Sequence, residues 1–115
     1  MTLLAFLLDK YLIARYTSTV HVISRKTLIK FWEKYPDSKL PLRVWFRKVY
    51  CSKYKTFNEL RKAFLTADKV GNKIVFNIGG NKYRLITSIH FNRAKVYIRA
   101  ILTHRAYDKG EWKND

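Results

Sequence analysis

The fold is decided by residues 73–103, which read KIVFNIGGNKYRLITSIHFNRAKVYIRAILT. Apolar and polar side chains alternate through this stretch with the period of two that is typical of half-buried β-strands. Gly79-Gly80-Asn81 and Asn92-Arg93 interrupt the alternation and have the composition of hairpin turns. We therefore predict three antiparallel strands, over residues 73–78, 82–91 and 94–103.

The residues before this stretch have a helical period. A short strand at Val20–Ile23 is followed by Ser24, a candidate N-cap, and by apolar residues at helical spacing over 25–35. Residues 41–52 form a second apolar stripe, and Thr56 with Glu59 fits the capping box of a short helix over 57–64. The tail from His104 is polar and long enough for about one helical turn. We predict an α+β domain in which an N-terminal strand and two to three helices pack on one face of an antiparallel β-meander.

The composition bounds the function. The chain has 115 residues and 24 lysines and arginines against 8 acidic residues, so its formal net charge is +16. An apolar fraction of 48% and an aromatic fraction of 16% exclude a disordered basic tail, and the length supports a single core. A folded domain with this charge points to a polyanionic partner such as nucleic acid. The lone Cys51 excludes an internal disulfide and fits a reducing cytoplasm.

The first nineteen residues have a different character. Their apolar run, residues 3–8, is interrupted by Asp9 and Lys10 and is too short to span a membrane. The basic residues and the cleavage site of a secretory signal are missing around it. We predict that residues 1–19 are an extension, or an upstream misassigned start, and that residues 20–115 are the functional domain.

The alternation also predicts the two faces of the meander. The apolar face, which should lie under the helices, contains Ile74, Phe76, Ile78, Tyr83, Leu85, Thr87, Ile89, Phe91, Val96, Ile98, Ala100 and Leu102. The other face should be open and should contain Arg84 and Arg99. Two-residue turns would pair Asn77 with Arg84, Arg84 with Ile101 and Ile86 with Arg99, so that the two arginines become diagonal neighbours. Between Asp68 and Asp108 there are eight basic residues and no acidic one, so this face should attract phosphate.

The chemistry available at that face suits a metal-free cut of RNA. The three histidines lack metal-ligand spacing and acidic ligands are scarce, so we expect no metal and no cofactor. Attack of a ribose 2′-OH on its phosphate needs a base, an acid and cations that stabilise the phosphorane. We predict that Arg84 and Arg99 supply the cations, and that His104 and Tyr107 supply proton transfer or orientation. Further RNA contacts are predicted at Lys73, Asn77, Asn81, Lys82, Lys95, Tyr97 and Lys109.

An ordered set of short motifs resembles HigB-type toxins of the RelE/ParE-like toxin–antitoxin superfamily. The set consists of VISRKTL (22–28), FWEK (31–34), VFNI (75–78), GNKYRL (80–85), YIR (97–99), TH (103–104) and YDK (107–109). The resemblance implies a RelE-like fold and a cytoplasmic endoribonuclease that cleaves mRNA, in many relatives on the translating ribosome. It also implies a HigA-like helix-turn-helix antitoxin as partner. Relatives tend to begin near Val20, which suggests a GUG start there.

Individual roles can be carried over at a few positions. Arg84 in its Tyr-Arg-Leu context corresponds to an active-site arginine of the superfamily, and His104 and Tyr107 correspond more loosely to catalytic groups after the last strand. Ala106 replaces a glutamate of the family's Thr-His-x-Glu-Tyr-Asp motif. Two alternatives stay open. A ParE-like toxin would act on DNA gyrase and cause DNA damage, and a non-enzymatic RNA- or ribosome-binding protein would bind without cleaving.

Overall fold

The computed structural model describes residues 20–114, and the predictions for residues 1–19 lie outside this range. The described residues form a mixed sheet of five strands and four α-helices. The strands are β1 (His21–Ile23), β2 (Asp68–Val70), β3 (Lys73–Ile78), β4 (Tyr83–His90) and β5 (Lys95–Thr103). The helices are α1 (Arg25–Lys34), α2 (Lys39–Cys51), α3 (Phe57–Ala63) and α4 (His104–Asp108).

The strand order is β1-β5-β4-β3-β2, and the predicted meander β3-β4-β5 forms its antiparallel centre. The α+β prediction is confirmed, but the sheet is not purely antiparallel, because β1 lies parallel to β5. Strand β2 is absent from the prediction. It pairs with only the first half of β3, and its three residues are too few and too polar to show an alternation.

The helices cover one face of the sheet, as predicted. Their inward side chains meet the apolar face of the meander, and the Trp45 and Phe76 rings pack edge to face at 5.4 Å. Both the helices and the sheet contribute fully buried aliphatic side chains, which include Leu28, Leu42, Leu60 and Leu85. Burial of each such side chain stabilises the fold by about 1.5–3 kcal/mol.

The helix caps agree with the prediction at one of two sites. Thr56 Oγ1 accepts a hydrogen bond from the Glu59 amide at 3.2 Å, and the Glu59 carboxylate accepts one from the Lys55 amide at 3.1 Å. The predicted side-chain cap at Ser24 is wrong. Ser24 has φ 76° and ψ 41° and makes no capping hydrogen bond from its side chain, because this left-handed residue turns the chain from β1 into α1.

A β-bulge changes the register predicted for β5. Near the second turn, Thr87 pairs with Ile98 as predicted, but Ile86 pairs with Ala100, so Arg99 is the extra residue. The predicted pairs of Arg84 with Ile101 and of Ile86 with Arg99 are therefore wrong. Beyond the bulge the faces exchange, since side chains alternate along a strand. Ile101 lies in the main core, and Ala100 and Leu102 lie on the opposite face.

The second face of the sheet is covered in its middle, which contradicts the prediction that it is open. The polar tail continues beyond α4 into a 3₁₀ turn, Glu111–Asn114, which places Trp112 on Val75 and Ile86. Val75 and Ile86 retain only 2% and 1% of their exposure. This small second core divides the face into two separate polar regions.

Two hydrogen bonds join the first hairpin to the 3₁₀ turn between α1 and α2. The Tyr83 hydroxyl donates to Asp37 Oδ1 at 2.7 Å, and Lys82 Nζ donates to Asp37 Oδ2 at 2.8 Å. The hydrogen bond to Asp37, together with burial, raises the pKa of Tyr83 from 10.0 to about 12. The folded chain thus keeps this proton at pH values where the unfolded chain loses it, and the free energy of unfolding falls as the pH rises through this window.

We expect Tyr83→Phe to lower the free energy of unfolding by about 1 kcal/mol at neutral pH. The variant should also lose stability less steeply than the wild type between pH 10 and about 12. Urea denaturation across this window measures both effects. Tyr50→Phe is the control, since the Tyr50 hydroxyl has no hydrogen-bond partner within residues 20–114. Parallel pH profiles for the wild type and Tyr83→Phe would contradict the assignment.

Candidate functional site

Arg84 is a buried cation on the second face of the sheet. It lies in β4 between Asn77 of β3 and Leu102 of β5, and it is 8% exposed. Its Nη1 donates to the carbonyl oxygens of Asn81 and Tyr83 at 3.1 and 3.2 Å, and its Nη2 donates to Asn81 Oδ1. Among residues 20–114, no carboxylate forms an ion pair with this guanidinium. A held, uncompensated positive charge of this kind attracts an anion.

Tyr107 lies against Arg84 and carries a tightly held proton. The Arg84 Cζ lies 5.5 Å from the centre of the Tyr107 ring, and the Trp112 ring stacks on Tyr107 with a centroid distance of 4.9 Å. Burial raises the pKa of the Tyr107 phenol, and the charges of Asp68 and Asp108 add to this effect while Arg84 opposes it. The phenol is therefore protonated at neutral pH and is available as a hydrogen-bond donor.

His104 begins α4 beside the first hairpin. Its backbone amide donates to the Lys82 carbonyl oxygen at 3.0 Å, and Thr103 Oγ1 caps the helix by accepting from the Ala106 amide at 3.2 Å. The imidazole Nδ1 lies 2.9 Å from Asp108 Oδ2, one helical turn away. A carboxylate at Nδ1 fixes the ring orientation and directs Nε2 away from it. Within the described residues, His104 Nε2 has no hydrogen-bond partner, so it can act on a ligand.

Arg99 does not join this group. The bulge places it three residues along β5 from Leu102, the partner of Arg84, which corresponds to about 10 Å. Its Nε donates to Ser88 Oγ at 3.0 Å, and its Cζ lies 5.3 Å from the centre of the Tyr97 ring. The predicted contact of both arginines with one phosphate does not fit this geometry. Arg84 and Tyr107 are in contact, and His104 begins the short helix that contains Tyr107, whereas Arg99 lies in a second polar region.

The predicted RNA contacts are divided among several surroundings. Asn77 lies opposite Arg84, and Asn81 orients it. Lys82 is exposed but forms the ion pair with Asp37. Lys109 is exposed at the end of α4. The remaining three lie towards Arg99. Lys73 lines a groove together with Arg99, and Tyr97 contacts the Arg99 guanidinium. Lys95 pairs with His90 of β4 and His21 of β1.

Two residues of the site were not predicted as functional from the sequence. Asp108 orients His104, and the spacing of four residues between them in a helical segment is a signal that could have found it. Trp112 holds Tyr107, with which it stacks, and its Nε1 donates to the Tyr107 carbonyl oxygen at 3.0 Å. No periodic pattern surrounds Trp112 in the sequence, so nothing indicated its burial.

Residues 20–114 contain no group of three histidine, cysteine or acidic side chains placed to hold a metal ion. In the same part of the chain, every helix is too short or too polar to cross a membrane.

Comparison with known proteins identifies the family. Residues 38–110 match the HigB toxin family, described as the RelE-like toxic component of a toxin–antitoxin system. The chain is 33% identical over 92 residues to the mRNA interferase toxin HigB of Escherichia coli K12, an alignment that covers 77% of this chain and 88% of the relative. It is also 33% identical over 93 residues to the mRNA interferase HigB of Escherichia coli O6:H1, covering 78% and 90% of the two chains. The chain therefore belongs to the HigB family of RelE-like toxins.

Proposed function

We propose that this toxin is a metal-independent endoribonuclease that cleaves mRNA. The observation that carries the proposal is the buried, uncompensated Arg84 packed on Tyr107, which shares a short helix with the His104–Asp108 pair. The relatives named mRNA interferase support this activity over the inhibition of DNA gyrase and over binding without cleavage.

In the proposed reaction the ribose 2′-oxygen attacks the adjacent phosphorus and the bond from phosphorus to the 5′-oxygen breaks. The products are a 2′,3′-cyclic phosphate and a 5′-hydroxyl. His104 Nε2 accepts the proton of the attacking 2′-OH, while Asp108 holds the imidazole in place. The Tyr107 phenol, kept protonated by burial, donates a proton to the leaving 5′-oxygen.

Arg84 stabilises the phosphorane. Its three hydrogen bonds to Asn81 and Tyr83 fix the plane of the guanidinium before substrate binds, and a guanidinium has five N–H donors, so two remain for phosphate oxygens. A preoriented cation in a partly desolvated position stabilises developing negative charge more strongly than a solvated one. Arg84 therefore acts mainly on the rate of the chemical step.

The proposal extends to the partners and the compartment. We place the reaction in the cytoplasm, on mRNA bound to the translating ribosome. A HigA-like helix-turn-helix antitoxin holds the toxin inactive, and a net charge of +16 suits an acidic surface on that partner.

The direct test is cleavage of a transcript by the purified chain, once without ribosomes in the presence of EDTA and once on translating ribosomes in a buffer that retains Mg²⁺, followed by mapping of the new 5′ ends. We expect discrete cuts with 5′-hydroxyl ends. The reaction with ribosomes should be the faster one. Intact RNA in both reactions, from a folded chain that arrests growth when expressed, would refute the proposed function. DNA breaks in place of RNA ends would favour the gyrase alternative.

We expect His104→Ala to lower kcat by about 100-fold with little change in KM, because general base catalysis typically contributes 10²- to 10⁴-fold. Asp108→Asn should cause a smaller loss, because it leaves the imidazole in place but alters its orientation. Single-turnover cleavage of a transcript measures both. His21→Ala is a matched control at an exposed histidine of β1. Equal kcat values for His104→Ala and the control would remove His104 from the mechanism.

A further inference from the structure

A second polar region lies on the sheet face on the far side of Trp112 from Arg84. It is a groove of about 500 Å³ lined by Asn72, Lys73, Ser88 and Arg99, which we name the Arg99 groove. The apolar patch of Val75, Ile86 and Trp112 separates it from the Arg84 site. Ser88 follows Arg84 by four residues in β4, so the two regions are about 13 Å apart along the strand.

The β-bulge makes Arg99 an exposed donor with a fixed orientation. The Arg99 Nε is occupied by Ser88 Oγ at 3.0 Å, and the Tyr97 ring lies 5.3 Å from the guanidinium carbon. Within residues 20–114, both Nη groups of Arg99 have no hydrogen-bond partner. The two Nη groups can bind two oxygens of one phosphate, and the contacts on Nε and on the ring orient the guanidinium for this.

Lys73 supplies a second cation to the same groove. Its Nζ lies 3.4 Å from the Trp112 carbonyl oxygen, which holds the ammonium group at the edge of the apolar patch. None of the four lining residues is acidic, and no acidic residue occurs between Asp68 and Asp108 in the sequence. Neither histidine nor tyrosine is among the four lining residues, although the Tyr97 ring packs on Arg99. The groove is therefore suited to binding an anion.

We propose that the Arg99 groove binds the phosphodiester backbone of RNA at a point separate from the scissile phosphate. This inference rests on the proposed function, which places a phosphate at Arg84. The two sites are about 13 Å apart along β4, so one RNA strand that occupies both has a few nucleotides between them. The backbone in the groove belongs either to the substrate strand or to ribosomal RNA.

The test compares Lys73→Gln/Arg99→Gln with Lys26→Gln/Lys30→Gln, which removes the same charge from exposed positions of α1. The probe is a fluorescein-labelled 2′-O-methyl RNA of twelve nucleotides and random sequence, which cannot be cleaved by attack of its 2′ oxygen. Anisotropy over a range of salt concentrations gives the dissociation constant and its salt dependence. A second arm measures sedimentation of each variant with ribosomes that carry no mRNA.

For the groove variant we expect about a tenfold weaker binding of the probe, because it loses hydrogen bonds to a charged phosphate group. Its log–log salt slope should be less steep by about 1.4, since each phosphate contact on a single strand contributes about 0.7. The control variant should change less in both quantities. Unchanged probe binding with lost ribosome binding would assign the groove to ribosomal RNA. Equal effects of the two double variants in both arms would overturn the inference, because the groove would then contribute only net charge.

Two further measurements keep the result interpretable. Arg99→Gln alone changes an exposed side chain, so it should retain the fold even if the Lys73 substitution disturbs Trp112. Cleavage by the wild-type chain is measured separately. A wild-type chain that binds the probe through the groove but cuts no RNA would refute the proposed function and leave the groove as an RNA site. A cutting enzyme whose groove variants bind normally would refute only the groove.

Discussion

Replacing Arg84 with glutamine is expected to lower kcat for mRNA cleavage by about 100- to 1,000-fold, the usual cost of removing one preoriented donor to a developing oxyanion. The guanidinium is held by Asn81 and Tyr83 and has no carboxylate partner in residues 20–114, so its charge is directed at the substrate and not at the protein. The same substitution should relieve the growth arrest that expression of the toxin causes. Single-turnover cleavage and colony growth after induction measure the two effects.

The stability of the Arg84→Gln variant should stay within about 1 kcal/mol of the wild type, because two effects oppose each other. The loss of hydrogen bonds destabilises the hairpin, whereas removal of a buried and uncompensated charge relieves a desolvation cost. Arg61→Gln in α3 is the matched control at an exposed arginine. Arg84→Lys keeps the charge without the fork and should recover only part of kcat. A folded Arg84→Gln variant with wild-type kcat would exclude Arg84 from the active site.

The first hairpin shows which part of the fold a sequence predicts well. Gly79 and Gly80 adopt positive φ values of 64° and 69°, which few other residues tolerate. The two glycines therefore fix where the turn occurs in the sequence, and the pairing of Asn77 with Arg84 follows from that position. The second hairpin has the predicted pairing only as far as Thr87. The bulge at Arg99 has no glycine or other local signal, and one inserted residue exchanged the faces of everything that follows it in β5.

Of the residues predicted as catalytic, the structure places Arg84 and Tyr107 in contact and Arg99 apart from them. Arg84 and Tyr107 come together because α4 begins directly after β5, which short-range reasoning could foresee. The burial of Arg84 and the separation of Arg99 depend on the bulge and on Trp112, which involve contacts between distant parts of the chain. Such contacts leave no periodic trace in the sequence.

We expect Trp112→Ala to destabilise the chain by about 3 kcal/mol, at the lower end of the range for buried tryptophan because the final turn can relax. Trp112 is 7% exposed and covers Val75 and Ile86, which lie outside the main core. Its loss exposes this second core to water without opening the face that the helices cover. Urea denaturation measures the loss, and Trp112→Phe, which keeps most of the buried area, should recover more than half of it.

The same substitution should lower kcat by about 10- to 100-fold under conditions where the chain is fully folded, because small displacements of reacting groups have effects of this size. Trp112 holds Tyr107 from two directions, through the stacked rings and through the hydrogen bond to the Tyr107 carbonyl oxygen, and Tyr107 in turn packs on Arg84. Trp112→Phe keeps a ring for stacking but has no Nε1–H, so its kcat should lie between the kcat of the wild type and that of Trp112→Ala. If Trp112→Ala were destabilised but cleaved RNA at the wild-type rate, then Tyr107 would need no support from the final turn. The second core would then serve the fold alone.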